Sequence, residues 1–411
     1  MRRGNLALLL HHLHHEAACS RAALTAVSGL SRSTVAALVA DLARRGLVAE
    51  EAPRTDGQRG RPSPVVRLQP ERVVALAVDI EVETVAVATY GLGGSLLAVE
   101  RVPHPQDPAD PARVVAALEP LLRRQRAALR SDQLLAGVGV AIAGVVREHD
   151  GLVHICPNLG WREAHLGRLV TEALGGPEVP VQVGNEADLG AVGEWRRGAG
   201  RGLRDLVYLS SEVGVGAGVI SAGRPFAGAS GYAGEVGHLP VNPTGLRCRC
   251  GGLGCWETEV ASEALVRHAT ARGVTARTAG AVLDAAAAGD AQALAAVGDI
   301  AWWAGRGLAG LVNIFNPERI VLGGVLARVA CLATQPLHAA LAEHALACAR
   351  HTVEIVPGAL GDRAQLIGAA ERALTPVLDD PTTVPYAVPA TQPPPSRGVA
   401  PPTSAAARQG A

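Results

Sequence analysis

The chain contains no lysine: all 38 basic residues among its 411 are arginine. A single arginine therefore says little about selected chemistry, and only its placement carries information. Aromatic residues are scarce at 3%, and methionine occurs once, so the interior must be built from Ala, Val and Leu. Long apolar runs are missing as well. The longest uncharged one, Leu134 to Val146, falls short of the ~18–20 residues a spanning helix needs, and no membrane span is expected. Leu6–Leu10 is too short for a secretory signal and runs into histidines. Net charge is absent too, with 38 basic residues against 38 acidic ones, which argues against a chain coated in nucleic acid along its whole length. There are seven cysteines, an odd number, and three sit in one short cluster. Without an export signal this points to a reducing compartment and to metal rather than disulfides, and a cytoplasmic location is expected.

Three segments follow one another. In residues 1–70, Leu6, Leu9, Leu10 and Leu13 recur at helical spacing. Ser20 can cap a short helix that turns at Ser28-Gly29-Leu30, and a second helix opens at Ser31, with Val35, Leu38, Val39 and Leu42 on one face. It ends at Arg44-Arg45-Gly46. Leu47-Val48 and Val65–Leu68 read as two strands flanking an Arg/Gly/Pro-rich loop, Pro53 to Pro64. That is the outline of a winged helix-turn-helix. Residues 71–376 alternate β-type runs with Ala/Leu-rich helical stretches, which predicts an α/β region of two lobes, dividing near 190. The strand candidates are Val73–Ile80, Val85–Thr89, Ala136–Ala141, Val179–Val183, Leu206–Leu209, Val215–Ile220 and Arg319–Leu322. Residues 377–411 are rich in Pro, Thr, Ala and Ser and read as a disordered tail.

The neutral total hides an asymmetry. Over the first 67 residues there are ten arginines and five acids, an excess of five positive charges. Positive charge on a small helical module is the footprint of a phosphate partner. Ser31, Arg32, Ser33 and Thr34 open the second helix of the motif, where side chains meet base edges in the major groove of an operator. Arg44 and Arg45 suit phosphate contacts, and Arg59 and Arg61 in the loop suit a minor groove. A basic protein–protein module is the plainer alternative.

His238, Cys248, Cys250 and Cys255 form an H-x9-C-x-C-x4-C pattern. One imidazole and three thiolates suit a closed, structural zinc site, since four protein ligands leave no open position. C-x-C with a third Cys and a His is poor spacing for a redox pair. The scattered Cys19, Cys156, Cys331 and Cys348 read as buried thiols.

Together these pieces resemble the ROK family of sugar-responsive repressors and sugar kinases, from Arg3 to about Pro376. The likeness rests on Gly231-Tyr232-Ala233-Gly234-Glu235-Val236-Gly237-His238, on Cys248-Arg249-Cys250-Gly251-Gly252-Leu253-Gly254-Cys255-Trp256-Glu257, and on Pro157-Asn158-Leu159-Gly160-Trp161. The first two hold that family's ExGH and CxCGxxGCxE signatures. The resemblance implies an actin-like, two-lobed sugar-kinase fold, and the winged helix ahead of it implies the repressor branch. Carried over residue by residue, it implies sugar contacts at Asn158, Asn185, Glu186, Glu235, His238 and Glu257. Convergent carboxylates and amides can hold pairs of sugar hydroxyls, and a wrong hydroxyl pattern leaves them unpaired.

Three departures from the kinase pattern of that family stand out. Its first phosphate loop, D-x-G-G-T, is here Asp79-Ile80-Glu81-Val82-Glu83-Thr84, which loses both glycines and adds two carboxylates. Its second loop becomes Ser210-Ser211-Glu212-Val213-Gly214. Its catalytic Asp, in N-D-A-N, becomes Glu186 in Asn185-Glu186-Ala187-Asp188. Carboxylates repel polyphosphate, and a base displaced by ~1 Å can cost about a hundredfold. The expectation is a DNA-binding transcriptional repressor without phosphoryl transfer. It would answer to a sugar or sugar phosphate through a linker at Leu68–Arg72, as a homodimer or homotetramer on an operator. An ATP-dependent hexose kinase is the rival reading.

Overall fold

The computed structural model describes residues 1–51, 63–104 and 107–387. Helix α1 (Arg2–Glu16) buries Leu6, Leu9, Leu10 and Leu13. A short strand, β1 (Ala18–Ser20), leads into α2 (Arg21–Ser28), whose first turn is capped by the Ser20 hydroxyl accepting from the Ala23 N–H at 3.1 Å. Gly29, at φ +67°, turns the chain into α3 (Arg32–Arg44), capped in the same way by Ser31. Strands β2 (Val48–Glu51) and β3 (Val65–Leu68) then complete a sheet of order β1-β3-β2. The sequence anticipated only two of these strands, because β1 is three residues long and has no apolar alternation. The loop holding Arg59 and Arg61 lies outside the described residues.

Two lobes of one design follow. The first holds β4 (Val73–Ile80), β5 (Thr84–Gly91), β6 (Leu96–Pro103), α4 (Pro111–Ala127), β7 (Leu134–Ile142), a small sheet of β8 (Val145–Arg147), β9 (Leu152–Cys156) and β10 (Trp161–Ala164), α5 (Leu166–Ala173), β11 (Val181–Asn185) and α6 (Glu186–Arg197). The second holds β12 (Leu206–Ser211), β13 (Val215–Ser221), β14 (Arg224–Pro225), α7 (Trp256–Val260), α8 (Ser262–Ala271), α9 (Ala279–Ala287), α10 (Ala291–Phe315), β15 (Arg319–Leu322), α11 (Gly324–Leu332), α12 (Thr334–His344), α13 (Ala347–Arg350) and β16 (Glu354–Pro357). The main sheets run β6-β5-β4-β7-β11 and β14-β13-β12-β15-β16. Each is an antiparallel meander extended by two parallel strands, so the topology is repeated. β4 is buried at every position, as a strand covered on both faces must be. The predicted strands are all present. The edge strand β6, largely exposed, and the short β8–β10, β14 and β16 gave no comparable apolar signal.

The last long helix, α14 (Ala364–Asp379), returns from the second lobe to lie along α6 and against β4 and β7 of the first. The approach to α6 is close. A Cβ on Gly193 would fall 2.2 Å from the Ala364 carbonyl oxygen, and one on Gly368 would fall 1.7 Å from that of Leu189. The expected tail begins later than the composition suggested. Val377, Leu378 and Val384 are buried, and residues 381–387 run back over the winged helix. These three residues and the buried Pro381 suffice to order a Pro/Thr-rich segment that has a surface to lie on; residues 388–411 are outside the described part. Nor is Leu68–Arg72 a free linker. Its backbone is tied to Leu47 and Leu92, and the Arg72 Nε donates to the Arg45 carbonyl at 3.0 Å. The winged helix and the first lobe share one apolar core, from Leu6 and Leu42 to Val73 and Leu374. Among the described residues no single helix is long and apolar enough to cross a membrane.

Candidate functional site

Between β13 and α7 the chain makes a long excursion closed by a knot of glycines. Gly254 adopts φ +63°, and a Cβ there would lie 1.6 Å from the Asn242 carbonyl oxygen, so only glycine lets the strands of this loop touch. The loop gathers His238, Cys248, Cys250 and Cys255 with their ligand atoms all within 4.8 Å of one another. Cys250 Sγ and Cys255 Sγ are 3.6 Å apart, and Cys248 Sγ is 3.7 Å from His238 Nδ1. Tetrahedral thiolates at about 2.3 Å from an ion stand about 3.8 Å apart, so this donor set fits a metal such as zinc. Backbone N–H groups of Cys250 and Gly252 point at the Cys248 and Cys250 sulfurs, each at 3.4 Å. The Gly252 N–H holds the Cys250 thiol below its usual value, whereas burial raises the Cys248 and Cys255 thiols, whose protons a bound metal would displace. Of the other cysteines, Cys156 is buried and Cys19 half-buried. Cys331 and Cys348 are exposed, contrary to the expectation.

His238 turns its second nitrogen away from the cluster, with Nε2 3.9 Å from Glu235 and Nδ1 3.5 Å from Glu257. Thus Glu235, His238 and Glu257 meet at the mouth of the cysteine cluster. Glu235 also lines an interlobe pocket with Asn185, Asp188, Gly144, Val146 and Gly216. Asn185 is largely committed to structure. It caps α6, its Oδ1 accepting from the Ala187 and Asp188 N–H groups while its Nδ2 donates to the Gly144 carbonyl at 2.9 Å. One amide N–H remains for a ligand. Glu186 accepts from the Ser210 hydroxyl at 3.3 Å, and burial, helped by Glu212 and Glu81, raises it to about 7. Asn158 is half-buried in the loop between β9 and β10.

The loop after β4 and the hairpin between β12 and β13 are rich in carboxylates. Asp79 closes β4 and is buried with Oδ1 unpartnered. Burial first, then Glu81 and Glu186, push it well above the usual carboxylate range. Glu81 accepts from the Thr84 hydroxyl and pairs with Arg101 at 2.8 Å. Glu212 sits in the β12–β13 hairpin and is likewise raised by burial, with Asp362 and Glu81 adding to it.

On the winged helix, Arg32 and Ser33 are exposed at the start of α3, and Arg32 has no ion-pair partner among the described residues. Thr34 is half-buried; its N–H donates to the Ser31 Oγ at 3.2 Å, so Ser31 is spent on the cap. Arg44 is exposed. Arg45, expected to contact a phosphate, is not available to one. It is buried, its guanidinium donates to the Thr382 and Val384 carbonyls, and it stacks 4.5 Å from the Tyr386 ring centroid. Both arginines reach the Tyr386 ring and Asp41, Arg44 at 5.2 Å from the ring centroid, but Arg44 stays largely exposed while Arg45 is buried and holds the C-terminal segment.

Three groups escaped sequence reasoning. Asp188 shares the pocket with Asn185, three residues earlier, and that helical spacing could have revealed it. Glu148 receives Arg372 at 2.7 Å across 224 positions, which no local pattern announces. His14 is buried, with Nε2 2.8 Å from Glu371, and Arg197 Nε donates to the other Glu371 oxygen at 2.6 Å.

The ROK family model matches residues 75–375, and a MarR family model matches residues 7–59. The chain is 27% identical to a xylose repressor of Caldicellulosiruptor bescii, over 92% of this chain and 97% of that one. It is 30% identical to a glucokinase of Streptomyces coelicolor, over 74% of this chain and 98% of that one. The crystal structure of a ROK family transcriptional regulator, a homolog of the E. coli MLC protein, superposes with a TM-score of 0.76. That pair is 26% identical, over 92% of this chain and 97% of the other.

Proposed function

The chain belongs to the ROK family, and from that premise we propose that it is a DNA-binding transcriptional repressor whose two-lobed body senses a sugar. The observation that carries this reading is the union, in one chain, of a MarR-type winged helix with a ROK body, joined through a shared core. The glucokinase likeness stops short of that module, covering 74% of the chain, whereas the xylose-repressor likeness covers 92%. Arg32 and Ser33 face the operator bases, Arg44 a phosphate, and a homodimer or homotetramer matches a pseudo-palindromic site. Arg59 and Arg61 complete the DNA contacts from the loop. A cytoplasmic location goes with this role.

The sugar sits between the lobes, held by Asn158, Asn185, Glu186, Glu235, His238 and Glu257. His238, Cys248, Cys250 and Cys255 hold a zinc ion, which when bound cross-links the loop that presents Glu235, His238 and Glu257 and has no open position for catalysis. Phosphoryl transfer is absent because Asp79, Glu81 and Glu212 occupy the ground where ATP phosphates need neutralising donors, and Glu186 replaces the shorter base. The kinase reading retains one specific support, the 30% identity to a glucokinase.

The packing supports a route from sugar to operator. α6 begins at the pocket with Asn185 as its cap and ends at Arg197, which grips Glu371 of α14 and donates to the His14 carbonyl at 2.7 Å. Past α14, Arg45 and Tyr386 tie the same chain to the end of α3. A ligand shifts operator affinity only by its differential affinity for two arrangements of these helices. The test is a mobility-shift titration on the gene's own upstream DNA, repeated with candidate sugars. Retardation relieved by one sugar is expected; no retardation by any promoter DNA of the source genome would sink the reading.

A further inference from the structure

The interlobe pocket carries a charge pattern that narrows the class of its ligand. Its lining includes two carboxylates, Asp188 and Glu235, and no basic side chain. Glu148 stands at the rim, its Cγ 3.8 Å from where a Cβ on Gly231 would lie. The nearest cation, Arg372, donates to Glu148 at 2.7 Å and is therefore already compensated. His238 offers the pocket one nitrogen at most, since the other faces the cysteine cluster. Nor is a helix dipole free to receive an anion. The start of α6 would ordinarily attract phosphate, yet Asn185 already occupies the Ala187 and Asp188 N–H groups, and Glu186 and Asp188 place two carboxylates in that first turn. Asp188 is half-buried, and among the described residues its carboxylate makes no hydrogen bond. It is an unfilled acceptor. Burial and the neighbouring Glu148 raise it, opposed by Arg372, to about 7.

We infer that the effector is an unphosphorylated sugar, and that Asp188 is a specificity-determining residue which accepts a hydrogen bond from a sugar hydroxyl or amine and repels sugar phosphates. The inference rests on the sugar-sensing reading and deepens it. A sugar phosphate would bring about two negative charges into a lining whose only charged side chains are carboxylates, with no cation to compensate them. A neutral sugar can donate from its hydroxyls to those carboxylates and accept from the one free Asn185 amide N–H. The carboxylate also adds selection among neutral sugars, because a ligand without a donor at that position leaves Asp188 desolvated and unpaired.

The experiment is isothermal titration calorimetry on the full-length, metal-loaded protein at pH 8. Xylose, glucose and N-acetylglucosamine are each titrated beside a phosphate of the same sugar, the 1-phosphate for xylose and the 6-phosphates for the others. One free sugar is expected to bind, with its phosphate at least about a hundredfold weaker. In Asp188→Asn the free sugar weakens about tenfold and the gap to the phosphate narrows about tenfold, with zinc content and melting temperature unchanged. A phosphate that binds as tightly as its parent sugar overturns the inference and leaves sugar sensing standing. So does an unchanged gap in a folded Asp188→Asn. Should that variant fail to fold, the wild-type pair of titrations decides alone. No binding of any sugar in either form, by protein that still retards operator DNA, overturns sugar sensing and this inference with it.

Discussion

Replacing Glu371 with Gln tests the joint between the winged helix and the effector body. The carboxylate is buried, 4% exposed, with Arg197 Nε at 2.6 Å and His14 Nε2 at 2.8 Å. Burial pushes it up, but His14 and Arg197 outweigh burial and hold it at about 2, so it is ionised at neutral pH. Glutamine keeps the shape and removes the charge, stranding Arg197, whose side chain is 13% exposed. Removing one partner of a buried pair costs about 3–5 kcal/mol. Urea unfolding of the variant should register a loss of that order. Operator titrations with and without the effector should show the difference between the two states shrinking. A second variant separates stability from coupling. Arg197→Met combined with Glu371→Met replaces the pair by apolar side chains, which is often close to neutral for stability. The double variant should recover part of the stability, because the buried His14 Nε2–H still loses its acceptor, while leaving operator binding insensitive to sugar. If Glu371→Gln unfolds within ~1 kcal/mol of wild type and responds to effector as wild type does, the joint does not carry the signal.

The remaining outcomes follow from the same geometry. Burial holds His14 below its usual value, with Glu371 opposing, and its Nδ1 accepts from the Gly93 N–H at 2.9 Å, so the neutral ring carries its proton on Nε2. Its contribution is therefore complete above about pH 6.5 and is lost as pH falls through the lowered folded value, because the unfolded ring takes the proton first; the urea midpoint should fall on that acid limb, and less so in His14→Gln. Arg45→Ala should destabilise the protein, seen as a lower melting temperature and faster proteolysis after residue 379, whereas Arg32→Ala should leave melting unchanged and weaken operator binding with a shallower salt dependence. Cys250→Ser, or prolonged chelation, should release one zinc per chain by atomic absorption and weaken sugar binding while secondary structure persists. A coupled ADP-release assay across common hexoses should stay at background, and turnover at ~1–100 s⁻¹, abolished in Glu186→Ala, would restore the kinase reading.

What the sequence disclosed was local. Ser20 and Ser31 as caps, the Leu6–Leu13 stripe, the buried β4 and the Cys248–Cys255 spacing each depend on residues within a turn or two of one another, and each is present in the fold. What it hid was set by distant partners. Arg44 and Arg45 are chemically identical in sequence, yet one is exposed and the other is locked beneath Tyr386, more than 300 positions away. His14 reads as one histidine among several on a polar helix until Glu371 arrives from α14. The Pro/Thr-rich composition after Pro376 was a sound argument for a chain in solvent, but Val384 is buried because the winged helix offers it a surface. The twofold repeat of sheet order leaves no motif of its own, since topology is fixed by crossovers rather than by particular side chains. Within the candidate site, signature residues such as Glu235 and His238 were legible. Asp188 and the Glu148–Arg372 pair became visible only once the pocket existed.

On the proposed function, the winged helix reads DNA and a sugar held between the lobes switches it. The most direct measurement is fluorescence anisotropy of the upstream operator titrated with full-length protein, repeated at saturating sugar. Nanomolar binding that weakens at least about tenfold with one unphosphorylated sugar, and not in the Arg197→Met, Glu371→Met variant, is the predicted result. Operator binding indifferent to every sugar, by protein that binds one of them calorimetrically, would contradict it.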